Sequence, residues 1–200
     1  MSVAIEFVPP DCSSQPHVRT VLAAAAAGDE RAWDALLDQF GSMIWAVARA
    51  HRLGDADAAD VTQATWTALL THLDQLNDPD RVGAWLATTA RRECLRLLGQ
   101  ARSAVPYGDE LPEAEAQQAH PAEELFVNQR NAALWRSVRR LRDSDQALLR
   151  LLMADPAPSY EEVSAALEIP VGSIGPTRAR ALERLWRELR RDGALALMRA

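Results

Sequence analysis

The chain has 200 residues, of which 48% are hydrophobic and only 6% aromatic, and its formal net charge is −6. It has no apolar run long enough to cross a bilayer, and its N-terminus lacks the basic and then apolar order of a signal peptide, so we expect a cytoplasmic protein with no membrane contact of its own. Cys12 and Cys94 lie far apart without the spacing of metal ligands, which excludes a disulfide framework or a zinc site as an interpretation.

The charged residues are segregated along the chain, although the total is acidic. Residues 106–125 carry six acidic residues and no basic one, whereas residues 126–191 carry twelve arginines against eight acidic residues. Contact with phosphate depends on the local field more than on net charge, so basic segments of an acidic chain can still face nucleic acid. The chain contains no lysine, which also excludes a Walker-type phosphate-binding loop.

The first half of the chain has the periodicity of helices. Residues 1–19 are rich in proline and serine and are predicted to form a disordered leader. From Thr20 onward, apolar residues recur at intervals of three and four, with breaks at Gly28 and Asp29, near Gly54 and in the loop 77–80. This pattern predicts long helices up to about residue 100. The polar and acidic segment 101–124 is predicted to be a flexible linker.

The second half is predicted to be a four-helix unit over residues 125–191, followed by a short tail at 192–200. Ser159 and Glu162 have the spacing of a capping box and predict the start of a short helix. The segment 168–172 breaks that helix, and Ser173 is expected to cap a longer, arginine-rich helix that restarts there. This is the layout of a helix-turn-helix. No segment has the alternation of a strand, so the predicted fold is all-α, with two small helical domains joined by the linker.

The chain shows no arrangement of residues that would support catalysis. Ser173 lies between glycines, but the strand that precedes a nucleophile elbow is lacking. The four histidines are scattered one to an element, and the carboxylates stand at helix starts or in the linker. We therefore predict that the protein is not an enzyme and has no catalytic residue, no metal site and no cofactor.

Three segments, in this order, resemble motifs of one known family. They are GDADAADVTQATW at 54–66, RVGAWLATTARRECLRLLGQ at 81–100 and IPVGS at 169–173. Together they are similar to the extracytoplasmic-function (ECF, group IV) sigma factors of the sigma-70 family, and an actinobacterial source is expected. The resemblance covers roughly residues 20–190. It implies a factor that binds core RNA polymerase and directs it to the −10 and −35 promoter elements.

The resemblance also implies roles for individual residues. It makes 20–100 sigma region 2 and 125–191 sigma region 4. Docking on core polymerase, through its beta and beta-prime subunits, is assigned to Asp57, Asp60, Gln63, Thr65 and Trp66. Recognition of the −10 DNA is assigned to Asn77, Arg81, Arg91, Arg92 and Arg96. Recognition of the −35 DNA is assigned to Ser173, Thr177, Arg178, Arg180 and Arg184. An anti-sigma factor is a further partner that the family implies and that the sequence itself does not show.

Other interpretations of the same residues remain open. Asp57 and Asp60 are also ordinary residues of a helix start, Trp66 could be a core residue, and the arginine face of the last helix could be a solvated surface. At the level of the whole chain, a one-component transcription regulator would bind DNA without polymerase. A helical scaffold that binds an acidic protein would show no dependence on DNA.

Overall fold

The computed structural model describes residues 15–76, 78–104 and 124–191, and every regular element in these ranges is helical. The prediction of an all-α fold is therefore confirmed. The described helices are α1 (Gln15–Ala26), α2 (Glu30–Ala50), α3 (Asp55–His72), α4 (Val82–Ala104), α5 (Glu124–Arg139), α6 (Asp143–Leu152), α7 (Tyr160–Leu167) and α8 (Val171–Arg191). Two short 3₁₀ turns, Leu73–Gln75 and Pro79–Arg81, connect α3 to α4.

The predicted leader is partly wrong, because α1 already begins at Gln15. Pro16 stands in the first turn of the helix, where a missing backbone N–H costs nothing, so proline there starts a helix instead of preventing one. Val18 and Leu22 face inward and are almost fully buried. Residues 1–14 lie outside the described residues. The predicted break is confirmed, since the Asp29 side chain accepts a hydrogen bond from the backbone N–H of Arg31 and caps α2.

Helices α2, α3 and α4 pack around an apolar centre, as their periodicity predicts. Leu36 and Ile44 of α2, Leu69 of α3 and Leu86 of α4 have no exposed surface. Full burial of such side chains contributes about 2 kcal/mol each, which makes this the main stabilising element of the first half. We call α1–α4 the N-terminal half and α5–α8 the C-terminal half.

In the C-terminal half, α7 and α8 form the predicted helix-turn-helix. The capping box is confirmed: Ser159 Oγ accepts from the backbone N–H of Glu162 at 3.3 Å, and Glu162 Oε2 accepts from the backbone N–H of Ser159 at 2.6 Å. Glu168 ends α7 in the left-handed region at φ 53°, a conformation that turns the chain sharply. Ser164 Oγ donates to the carbonyl oxygen of Ile169 at 2.7 Å and closes the turn.

Helix α8 differs from its prediction at its start. It begins at Val171, so Ser173 lies inside the first turn and does not cap the helix. Its hydroxyl donates backward to the carbonyl oxygen of Pro170 at 2.7 Å. Pro176 lies within the helix without ending it. Proline at this sixth position removes a single i to i−4 hydrogen bond close to the N-terminus, where four N–H groups lack helical partners anyway.

The two halves share one apolar cluster, which the sequence did not predict. Leu148 and Leu151 of α6, Val163 and Ala166 of α7 and Ile174 of α8 belong to the same buried cluster as the centre of the N-terminal half. Helix α7 packs on α4, and α6 packs on α2. Within the described ranges the halves therefore form one packed body. The first four residues of the predicted linker, 101–104, form the end of α4, and its last residue, Glu124, begins α5. The rest of the predicted linker lies outside the described residues.

Candidate nucleic-acid and polymerase interface

The outer side of α3 carries most of the residues assigned to polymerase docking. Asp57, Asp60 and Gln63 are exposed, and Asp57 lies in the first turn, where a carboxylate stabilises the helix N-terminus. A shallow groove runs along this side, lined by Asp60, Gln63, Ala64, Thr67, Ala68 and Thr71. Acidic and amide groups beside small side chains form a surface that a partner helix with basic residues could approach closely.

Two of the residues assigned to docking do not belong to that surface. The side chain of Thr65 has no exposed area, and its hydroxyl donates to the carbonyl oxygen of Val61 at 2.7 Å. The assignment of Thr65 to polymerase contact is therefore corrected: it is a core residue of α3. Trp66 is half-buried and packs against the apolar cluster, in line with the alternative that it is a core residue.

The arginines assigned to −10 DNA lie on α4 and on the turn before it, in different surroundings. Arg81 and Arg92 are exposed. Arg96 is exposed but bridges to Glu93 at 2.7 Å and donates to Gln100. Arg91 pairs with Glu168 across the two halves, at 2.5 Å, and keeps only 20% of its side chain exposed. Asn77 lies outside the described residues.

The residues assigned to −35 DNA lie along α8, from Ser173 in its first turn to Arg184 in its fourth. Arg180 is exposed, and its Nε donates to the carbonyl oxygen of Pro176 at 3.1 Å. Ser173, Thr177 and Arg178 are half-buried. The N-terminal residues of a recognition helix are the ones that reach base edges, and Arg180, the tenth residue of α8, lies beyond them with its side chain exposed.

Arg184 has a structural partner that the sequence did not predict. Its Nη1 lies 2.6 Å from Oδ2 and 2.9 Å from Oδ1 of Asp145, on α6. The Asp145 side chain is only 2% exposed and that of Arg184 is 28% exposed. A buried carboxylate needs a charged partner to offset its lost hydration. The charged end of Arg184 is therefore held between α6 and α8, and this residue is a weaker candidate for a DNA contact than Arg180.

The contact between the halves contains two perturbed ionisable groups. Burial raises the pKa of the Glu162 carboxyl, although its hydrogen bonds with Ser159 act in the opposite direction. Burial also lowers the pKa of Arg150, and the neighbouring charges of Arg49 and Arg52 lower it further. Arg150 nevertheless donates to the carbonyl oxygen of Arg49 at 2.9 Å and lies over the ring of Trp135.

The part of the chain that the structure describes contains no group of three or more histidine, cysteine or acidic side chains that could hold a metal ion. Within the same part, no helix combines the length and apolarity needed to span a membrane. Cys94 is a buried free thiol, and burial raises its pKa to about 12, so it is not a reactive cysteine.

Comparison with known proteins bears on the segment that contains α3 and the arginines of α4. Residues 36–104 match the family model of sigma-70 region 2. This match begins within α2 and ends with α4. A comparison with curated protein sequences gave no match.

Ten chains of solved structures also match. One is CnrH in complex with the cytosolic domain of CnrY, and the alignment covers 88% of this chain and 98% of that chain. The TM-score is 0.57 and the sequence identity is 23%. At this identity the similarity concerns the fold, and it extends over both halves.

Sequence reasoning missed the residues that join the halves. Gly83 of α4 lies so close to Glu162 that a Cβ atom added there would overlap with Glu162 Oε1. Arg52 pairs with Asp143, and Arg91 with Glu168. The only signal in the sequence was the position of Gly83 inside a helical pattern, since an interior glycine often marks a close approach of another element.

Proposed function

We propose that the chain is a promoter-specificity subunit of RNA polymerase of the ECF sigma type. The observation that carries this proposal is the match of residues 36–104 to sigma-70 region 2. In this proposal residues 20–100 act as sigma region 2 and residues 125–191 as sigma region 4. The segment 101–124 connects them. The protein acts in the cytoplasm by binding, without catalysis of its own.

The first step of the proposed function is docking on core polymerase through α3. Asp57, Asp60 and Gln63 are exposed along one side of this helix, next to the groove of small side chains. In this proposal Thr65 does not contact the polymerase, because its buried hydroxyl donates to the carbonyl oxygen of Val61 within α3. Basic side chains of the beta and beta-prime subunits are the partners that this acidic side fits.

The second step is contact with promoter DNA by the arginines of α4 and α8. Arg81 is exposed in the turn just before α4 and Arg92 near the middle of that helix, and single-stranded −10 DNA would pass along them. Arg180 is exposed in the third turn of the recognition helix, and Arg187 and Arg191 continue its exposed side. Arginine suits both tasks, since its planar fork binds phosphate or guanine through two hydrogen bonds.

A protein that holds the factor inactive is a further proposed partner. CnrH, whose fold is similar, forms a complex with the cytosolic domain of CnrY. Because that similarity extends over most of both chains, we propose that this chain also has a protein partner of the anti-sigma class.

Docking is tested by measuring the affinity of the labelled chain for purified core polymerase. The double variant Asp60→Ala with Gln63→Ala should bind at least about tenfold more weakly, which corresponds to a loss of about 1.4 kcal/mol. Asp38→Ala, which removes an exposed carboxylate from the neighbouring α2, is the matched control and should bind as the unchanged chain does. Equal affinity of all three proteins would contradict the assignment of α3.

DNA contact is tested on the assembled holoenzyme with duplex promoter DNA. Arg180→Ala should weaken binding and reduce the slope of log affinity against log salt by about one unit. Arg190→Ala is the control, because Arg190 is exposed on α8 but lies ten residues beyond Arg180 and about 80° around the helix from it. An unchanged salt slope for Arg180→Ala would contradict its placement at the −35 element.

A further inference from the structure

A cleft lies where α2, α4, α6, α7 and α8 meet, and its wall is mostly apolar. Its volume is about 370 Å³. Clefts that bind small molecules have volumes of about 300–1,000 Å³, an apolar lining and a few polar groups that orient the ligand. The apolar side chains of this cleft are those of Leu95, Ala147, Leu148, Ala166, Leu167 and Ile169. The cleft therefore has the size and the lining of a site for a small organic molecule.

Two ion pairs lie at the edge of this cleft. Arg91, on α4, pairs with Glu168 at 2.5 Å, and Asp143, at the start of α6, pairs with Arg52. Arg91 and Asp143 line the cleft, whereas their partners do not. The positive charge of Arg52 offsets the negative charge of Asp143, so this carboxylate opposes the binding of an anion only weakly.

Arg91 keeps hydrogen-bond donors that its ion pair does not use. A guanidinium has five N–H donors, and the pair with Glu168 is made by Nη2 alone. Only 20% of the Arg91 side chain is exposed, whereas the next residue, Arg92, is exposed. An arginine can bind a carboxylate through two parallel hydrogen bonds. Arg91 is therefore suited to hold the acidic group of a ligand whose apolar part lies in the cleft.

His51 adds a second polar group to the wall of the cleft. Its Nδ1 lies 2.9 Å from the carbonyl oxygen of Val47, and because a carbonyl oxygen only accepts, Nδ1 carries a hydrogen. This leaves Nε2 as the ring nitrogen for a ligand. Nε2 accepts a hydrogen bond when the ring is neutral and donates one when the ring is charged. A bound carboxylate favours the charged, donating form of His51.

The charged residues beside His51 are mostly positive. Arg150, on α6, is half-buried near three other arginines, and burial lowers its pKa, as do these like charges. The three are Arg49, Arg52 and Arg139. With Arg91 this group has five arginines, and its acidic partners are three, namely Asp55, Asp143 and Glu168. The excess of positive charge favours an anionic ligand over a cationic one.

We propose that this cleft binds a small carboxylate with an apolar body: Arg91 and His51 bind the acidic group, and the apolar wall formed by α4, α6 and α7 takes up the body. The site goes beyond the proposed function and does not rest on it. Binding is a property of the free chain and is measured without polymerase or DNA.

Three probes with the same apolar chain separate the contribution of charge from that of the wall. They are octanoate, the uncharged 1-octanol and the positively charged octylammonium. Ligand-observed NMR titration at pH 7 gives the affinity of the full chain for each. We expect octanoate to bind with a Kd on the order of 0.1 mM, which is within reach of a ligand of this size. 1-Octanol should bind about tenfold more weakly, and octylammonium more weakly still.

Two variants, each with a matched control, locate the binding. Arg91→Gln should weaken octanoate about tenfold and leave 1-octanol unchanged, whereas Arg136→Gln, which removes an exposed arginine that does not line the cleft, should affect neither. Ala147→Phe fills the cleft and should weaken both ligands at least about tenfold. Ala179→Phe enlarges an exposed alanine of α8 and should leave both unchanged. Circular dichroism verifies that helix content is retained, and His51→Gln replaces Arg91→Gln if that variant loses it.

The proposal is overturned if octanoate does not bind the unchanged chain, or if octylammonium binds as tightly, because the wall alone would then account for binding. Equal octanoate affinities of Ala147→Phe and Ala179→Phe would also overturn it, since the ligand would then lie elsewhere. Undiminished octanoate affinity in Arg91→Gln, or equal losses of octanoate and 1-octanol, would contradict the role of Arg91. These results are separable from the proposed function, because a chain can support transcription without binding octanoate, and the reverse.

Discussion

Removing either partner of the ion pair between Arg184 and Asp145 should destabilise the chain, but by unequal amounts. Removal of Arg184 in Arg184→Ala leaves a carboxylate that is only 2% exposed without its charged partner. Leaving such a charge buried and unpaired costs about 3 kcal/mol. Removal of Asp145 leaves a guanidinium that is 28% exposed and can turn toward water, so Asp145→Ala should cost about 1 kcal/mol. The double variant should lose less than Arg184→Ala does, because no buried charge is left behind.

The assay is urea unfolding of the full chain at pH 7, followed by circular dichroism. For a chain of this size, Arg184→Ala should also lower Tm by about 6–12 °C. Arg187→Ala is the control, since it removes an exposed arginine from the same helix and should change stability by less than about 0.5 kcal/mol. If Arg184→Ala destabilised the chain no more than Arg187→Ala, the structural role of the pair would be refuted and Arg184 would again be a candidate for DNA contact.

Three further predictions concern buried side chains. Ile174→Ala should cost about 3 kcal/mol in urea unfolding, because Ile174 is fully buried in the cluster that both halves share, whereas a loss below about 1 kcal/mol would place it outside a packed core. Burial raises the pKa of Glu162 above its ordinary value of 4.5, so its stabilising contribution is present at acid pH and is lost as pH rises through the raised pKa. The stability of the unchanged chain relative to Glu162→Gln should therefore fall as the pH rises above 4.5, and a constant difference would contradict the raised pKa. In a Cys12→Ser background, Cys94 should resist a thiol reagent at pH 8 and react on unfolding, because with a pKa of about 12 roughly one thiol in ten thousand is ionised; rapid reaction of the folded chain would contradict this.

Local structure could be predicted from the sequence wherever a few neighbouring residues determine it. The Ser159 and Glu162 capping box needs only a three-residue spacing, and the apolar face of α8 with Ile174 and Ala181 needs only helical periodicity. The start of α8 was misplaced because Pro176 is commonly a stop signal. Its effect depends on distance from the helix N-terminus, and that start was itself the unknown.

The candidate site was less predictable, because burial and pairing depend on elements that are distant in sequence. Thr65 and Gln63 stand two residues apart on α3, yet one is in the core and the other is exposed. Nothing in the sequence near Arg184 indicates that it forms an ion pair with Asp145 on another helix. The contact of Gly83 with Glu162 joins residues 79 positions apart and follows from the packing of the two halves.

The central claim is that this chain directs RNA polymerase to promoters. Its most direct test is run-off transcription by purified core polymerase on genomic fragments that include the region upstream of the gene, with and without the chain. We expect a discrete transcript that appears only when the chain is present and that weakens with Arg180→Ala but not with Arg190→Ala. Binding of the chain to the same DNA without polymerase, and without any transcript, would contradict this claim and indicate a one-component regulator instead.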